Sequence, residues 1–96
     1  MKAKLIKTDG TVRDIEPANG VSFELDEVYD LLGCEVIQIV ESRINDNILI
    51  IDEEGKFKEG AELNILATTS ARTMQCLADG DYIVGSAILC HTSMVE

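Results

Sequence analysis

Tryptophan is absent from this chain, and only four of its 96 residues are Phe or Tyr. With 46% of the residues apolar, the core must be aliphatic, built from Ile, Leu, Val and Ala. Basic residues are scarce: eight Lys and Arg face 18 Asp and Glu, a formal charge of −10. Such a field repels phosphates, so direct nucleic-acid binding is disfavoured. Mimicry of a phosphate backbone is disfavoured too, because the charges alternate with apolar residues and form no long blocks. No apolar run approaches membrane-spanning length, and Met1-Lys2-Ala3-Lys4-Leu5 lacks the apolar stretch of a signal peptide. Cys34, Cys76 and Cys90 are odd in number and include no close pair, which reads as reduced thiols without a disulfide framework. The expectation is a soluble protein of a cytoplasm, without membrane contact. At this length it is one domain, residues 1–96.

What the chain does have is β-branched. Residues 35–41 and 48–51 flank a polar Asn45-Asp46-Asn47 corner and read as a hairpin. Branched side chains are stiff at χ1 and suit a pleated surface. Val36, Gln38 and Val40 fall on one face of the first run, Ile37 and Ile39 on the other. The second run is apolar on both faces, so this hairpin is expected at the centre of the sheet. Upstream, residues 2–7 and 11–16 alternate around Asp9-Gly10, a type I′ turn signal, and Pro17 ends the ladder.

Ser22 is positioned to cap a helix over 23–32, with Leu25, Val28, Leu31 and Leu32 as its buried stripe and Gly33 as its stop. Residues 52–55 form a tight corner before a short Lys56-Phe57-Lys58 strand. Asn64 caps a second helix over about 65–77, closed by Gly80 and kept short by its β-branched threonines. Residues 82–90 read as a strand with a bulge at Gly85, and 91–96 as a frayed tail. The fold class is α+β: a mainly antiparallel sheet of about five or six strands with two helices packed on it.

Several segments recur in a familiar order: Lys4-Leu5-Ile6-Lys7-Thr8-Asp9-Gly10, Leu32-Gly33, Ile51-Asp52-Glu53-Glu54-Gly55-Lys56, Asn64 with Ala67-Thr68, and Asp81-Tyr82-Ile83-Val84-Gly85. This order resembles a family of small bacterial proteins carried by phages, plasmids and other mobile elements, known as a domain of unknown function. The resemblance spans nearly the whole chain and implies a mobile-element setting but no activity. At Glu24 the chain departs from it, since that family tends to place Thr or Ser there as a helix cap.

Chemistry is sparse. His91 is the single histidine, and no Cys or His pair has zinc-like spacing. Consecutive strand residues point to opposite faces, so Cys90 and His91 are poorly placed as a nucleophile pair. Phosphate-loop, dinucleotide and nucleophile-elbow patterns are missing. No metal and no cofactor is expected, and a cysteine hydrolase ranks below two binding readings. The first is a protein partner held by the acidic face of the first helix, at Glu24, Glu27 and Asp30. The second is a small nucleotide-like anion held at the second helix start, by Asn64, Ala67, Thr68, Thr69 and Arg72, with Ser70 adding a donor.

Overall fold

In the computed structural model, which describes residues 2–95, β1 (Ala3–Ile6) and β2 (Val12–Ile15) pair antiparallel, Ala3 opposite Ile15 and Ile6 opposite Val12. The connection differs from the expected type I′ turn, which needs positive φ at both central residues. Here only Gly10 has positive φ, at 90°. Gly10 N–H donates to Lys7 O and Lys7 N–H to Thr11 O, so the loop is a three-residue turn closed by a left-handed glycine. Asp9 tightens it by accepting from the Thr11 N–H and hydroxyl, which holds its carboxyl below the usual range.

The first helix, α1 (Leu25–Leu32), starts later than expected, with Glu24 and not Ser22 at its N-cap. Ser22 lies buried upstream, its N–H given to Asn19 Oδ1. Phe23 and Val28 flank the cap and meet in one core cluster, a hydrophobic staple that fixes how the chain enters the helix. The stripe is narrower than its spacing implied. Val28 is buried and Leu31 and Leu32 are partly so, but Leu25, in the first turn, is 53% exposed. Gly33 stops the helix in the left-handed conformation, as expected.

β3 (Ile37–Glu41) and β4 (Asn47–Asp52) form the anticipated hairpin, with Ile39 opposite Ile50. Lys56-Phe57-Lys58 is not a strand: Gly55–Phe57 is a 3-10 turn, and Phe57 points into solvent. The second helix, α2 (Ile65–Thr73), ends well before Gly80. Gln75 takes the left-handed conformation at φ 56°, Cys76 N–H donates to Ala71 O, and Gln75 N–H donates to Arg72 O. This is the Schellman pattern with Gln where Gly is usual. The last strand, β5, runs only Ala87–His91, because Ile83 and Val84 are drawn to the start of α2 through Asn64 N–H to Ile83 O and a bridge between Leu63 and Val84. The expected frayed tail is instead pinned: Met94 is buried, Phe23 N–H donates to its carbonyl, and Val95 bridges Phe23. Glu96, the end of that expected tail, lies outside the described residues.

All strand pairs are antiparallel, in the order β2-β1-β5-β4-β3. The centre is therefore β5, and the β3–β4 hairpin forms one side of the sheet with β3 at the edge. Alternation along each strand separates two cores. Ile48, Ile50, Ile88 and Cys90 face α1, while Leu49, Ala87 and Ile83 pack with Ala67, Ala71 and Met74 of α2. The helices thus cover opposite faces. Ala67, Ala71 and Ala87, all fully buried, let α2 lie close against the strands. Along the helices, the strands and the segment before β5, Val28, Ile50 and Ile83 are buried and Leu31, Ile37 and Leu89 partly so. Leu25 and Ile39 are exposed, for the helix-end and edge-strand reasons above.

Candidate functional site

The start of α2 is built around Asn64, which is fully buried. Its Oδ1 accepts from Ala67 N–H at 3.0 Å, capping the helix. Its Nδ2 donates to Ile6 O at 3.0 Å and to Gly85 O at 2.8 Å, tying α2 to β1 and to the chain entering β5. Its carbonyl accepts from the Thr68 hydroxyl at 2.7 Å, and that oxygen in turn accepts from Ile83 N–H at 2.9 Å. Every polar group of Asn64 and the hydroxyl of Thr68 is thereby spent inside the protein. Ala67 is buried beneath them. Of the five residues expected to hold an anion, Asn64 and Ala67 cannot be reached from solvent.

Thr69 and Arg72 do come together. With Thr68, Leu63, Ile65, Gly80 and Tyr82 they border a hollow of about 330 Å³. Its surface is apolar in character: Leu63, Ile65 and Tyr82 are 50%, 68% and 45% exposed. The one cation, Arg72, already donates from Nη2 to Asp81 O at 3.2 Å. On such a wall, a ring or an apolar side chain fits better than a bare anion.

A larger groove of about 660 Å³ runs between the β3–β4 edge and the segment after α2. Its chemistry is mixed, with Arg43 and Lys56 against Asp52, Asp79 and Asp81, and the strained Gln75 at its margin. Lys56 pairs with Asp81 and sits 4.4 Å over the Tyr82 ring, so its charge is already balanced. The pair, together with Tyr82 N–H, holds the Asp81 carboxyl below the usual range.

On the other face of the sheet, α1 carries the three acidic residues singled out from the sequence. Glu24 and Asp30 are exposed. Glu27 is half-buried and structural, its carboxylate accepting from Ala18 N–H at 2.8 Å and from Glu24 N–H at 3.4 Å. Asp26 is exposed beside them and the last turn holds no basic residue. Leu25 stands uncovered in the first turn, between Glu24 and Asp26 in the chain. Sequence reasoning missed it because its three-to-four spacing matches the buried stripe. The signal available was its place in the first turn, next to the cap.

Cys90 and His91 diverge as alternation requires. The Cys90 thiol is buried on the α1 face, and burial pushes it up to about 11, opposite to what a nucleophile needs. His91 Nδ1 lies 2.8 Å from Ser93 Oγ and accepts from Ser93 N–H, while Asp46 Oδ2 stands 3.9 Å from Nε2. The order imitates a serine triad, but the acid is beyond hydrogen-bond reach and Nδ1 serves as a turn cap. Among the described residues, no cluster of three or more His, Cys, Asp or Glu could hold a metal ion, and no helix is long and apolar enough to cross a membrane.

Residues 1–94 match the family described as "Domain of unknown function (DUF3846)". No curated protein and no solved structure matches the chain. With almost its whole length matched, the chain belongs to that family.

Proposed function

We propose that this member of the family is a non-catalytic accessory protein of a phage or mobile element, which holds a basic protein partner on the outer side of α1. The observation that carries this reading is Leu25, 53% exposed between Glu24 and Asp26 in the chain, on a helix that also carries Asp30 and has no cation. An exposed apolar side chain on an acidic helix supplies an anchor and a steering field together. Glu27 belongs to the support of the surface and not to its contacts, since its carboxylate holds Ala18 and Glu24. The mobile-element setting is favoured by the resemblance of the chain's ordered segments.

Affinity capture with the parent chain and with Leu25→Ser and Asp30→Lys variants tests the reading. Both positions are exposed, so both variants should melt like the parent. A partner retained by the parent should bind each variant about tenfold more weakly or worse, and added salt should weaken it further. A partner that binds all three equally would sink the proposal.

A second reading is a small-ligand binder, favoured by the hollow at Thr69, Arg72 and Tyr82. An aromatic ligand with one negative group would lie on Tyr82 and reach Arg72. The notion of a bare anion at the helix start loses support, because Asn64 is buried and fully bonded. Arg72→Ala, which leaves α1 untouched, separates the two readings: it should abolish a ligand-induced melting shift and leave partner capture unchanged.

A further inference from the structure

One Asn-Gly step occurs in the chain, Asn19-Gly20; the other asparagines precede Asp46, Ile48 and Ile65. It lies in the loop between β2 and α1, where Ala18, Asn19 and Gly20 are exposed and Val21 is 74% exposed. Pro17 and Ser22 are buried at the two ends of that loop. The loop is anchored on both sides, yet no side chain of residues 18–21 enters either core.

Hydrogen bonds alone hold its conformation. Gly20 N–H donates to Pro17 O at 2.9 Å, and Ala18 N–H to Glu27 Oε2 at 2.8 Å. Asn19 Oδ1 accepts from Val21 N–H and from Ser22 N–H, each at 2.9 Å. Gly20 has positive φ, at 77°, and the space where a Cβ would stand is open to 4 Å. These features converge on one reaction, attack of the Gly20 nitrogen on Asn19 Cγ. Negative charge then develops on Oδ1, the atom that two backbone N–H groups already address, as in an oxyanion hole. Gly20 leaves its nitrogen uncrowded, whereas the branched Ile48 and Ile65 crowd the nitrogens that follow Asn47 and Asn64.

We propose that Asn19 is a site of self-modification by deamidation in the folded chain. The Gly20 nitrogen bonds to Asn19 Cγ and gives its proton to water. The Cγ–Nδ2 bond breaks, and Nδ2 takes up a proton and leaves as ammonia. Water then opens the succinimide ring. Opening at Cγ restores the main chain with an aspartyl carboxylate; opening at the main-chain carbonyl leaves the chain running through Cγ as an isoaspartyl link. Either way water is consumed, ammonia is released and one negative charge is gained. A single backbone bond stands in the way, because Gly20 N–H must leave Pro17 O before the nitrogen can turn to Cγ. With nothing from residues 18–21 in a core, that opening is local and leaves the sheet and helices intact.

The two products act differently on α1. An aspartyl carboxylate keeps the bonds from Val21 and Ser22 N–H and makes them charge-assisted. An isoaspartyl link lengthens the main chain between positions 19 and 20. It shifts those donors just ahead of Phe23, whose N–H on Met94 O fixes the entry to α1. The inference is independent of the α1 partner and of the α2 hollow.

Incubation of the folded whole chain at mildly alkaline pH, followed by isoelectric focusing and peptide mapping, tests it. One acidic species is expected, altered at position 19, with Asn45, Asn47 and Asn64 unchanged. Asn19→Asp supplies the focusing position of the aspartyl product. The folded rate should lie within about tenfold of the rate in guanidinium, since only one backbone bond has to open. Ile50→Ala, which lowers global stability and leaves the loop alone, should react at the parent's rate. Asn19→Ser keeps a side-chain oxygen for the turn and has no amide to lose, so it should form no acidic species.

A folded chain that stays unmodified while the unfolded chain converts overturns the proposal. So does an Ile50→Ala rate that climbs with the loss of global stability, which would place the reaction in the unfolded chain. An acidic species that forms equally fast in Asn19→Ser overturns it too. Should Asn19→Ser fail to fold, mapping of the parent decides alone, and charge gained anywhere but position 19 overturns the idea.

Discussion

Asn64 joins three parts of the chain that lie far apart in sequence. Its amide reaches Ile6 and Gly85, 58 and 21 positions away, while its oxygen caps the helix that begins next to it. A cap alone is worth about 1 kcal/mol. Removing the amide also takes a hydrogen bond from each of the Ile6 and Gly85 carbonyls, worth about 0.5–1.5 kcal/mol apiece. Asn64→Ala should therefore cost about 2–4 kcal/mol, read as a shift of the denaturation midpoint. Asn64→Asp should do no better, although Asp is as good a cap in general. It would turn an oxygen toward the Ile6 and Gly85 carbonyls and bury a charge there. If Asn64→Asp instead matched the parent, the amide contacts would carry no weight. The capping role is legible in the sequence, because it is local. The clip to Ile6 and Gly85 is not, since nothing nearby encodes a contact between distant segments. Gln75 is illegible for the opposite reason: its left-handed conformation contradicts the residue's own preference, so helix-stop reasoning passes over it to Gly80.

Among the elements, both hairpins and both helices follow from local pattern: Asp9-Gly10, the branched runs on either side of residues 42–46, the spacing of Val28, Leu31 and Leu32, and the Asn64 cap. Their arrangement does not. An alternating strand says which face is dry, and it is silent about its neighbour. Ile37-Gln38-Ile39-Val40 reads as strongly as any central strand, yet it lies at the edge, because β5 returns between β1 and β4 through long-range pairing. The apolar run on both faces of β4 did point to burial, and correctly so. Ile50 is fully buried between the edge strand and the central one. Ile50→Ala should cost about 2–5 kcal/mol, whereas Ile39→Ala, half in solvent, should stay near 1 kcal/mol or below. Urea titration of the two variants compares them directly. Equal losses would contradict the strand order, because they would put both positions at the same depth.

At the scale of the whole molecule, charge sets how stability depends on solution conditions. The −10 net charge works against compactness, so moderate salt should raise the melting temperature wherever screening reaches beyond single ion pairs. The pH profile has a limb on each side. On the acid side Asp9, Asp14 and Asp81 have carboxyls held low, the first by Thr11, the others by Lys4 and Lys56. Their depressed values mean a contribution present at neutral pH and lost as pH falls through the carboxylate range. Asp9 and Asp14 are exposed and the Asp81 side chain is nearly half in solvent, so that limb is shallow. The alkaline limb comes from the thiols. Burial pushes the Cys34, Cys76 and Cys90 thiols up, Cys90 to about 11, with the nearby Asp52 adding to the rise at Cys34. A raised folded value means that the folded chain keeps its proton where the unfolded chain has lost it. The associated stability is therefore intact below the ordinary thiol value of 9.0 and is lost as pH climbs toward about 11. Melting temperature should hold level from pH 6 to 8 and fall above about 9. Cys90→Ala removes the most deeply shifted thiol. That variant starts from a lower stability, because it leaves a small void in the α1-side core, but its decline above 9 should be shallower than the parent's. Parallel alkaline slopes for parent and variant would mean that Cys90 ionises as freely inside the fold as outside it, which its burial between β5 and α1 does not allow.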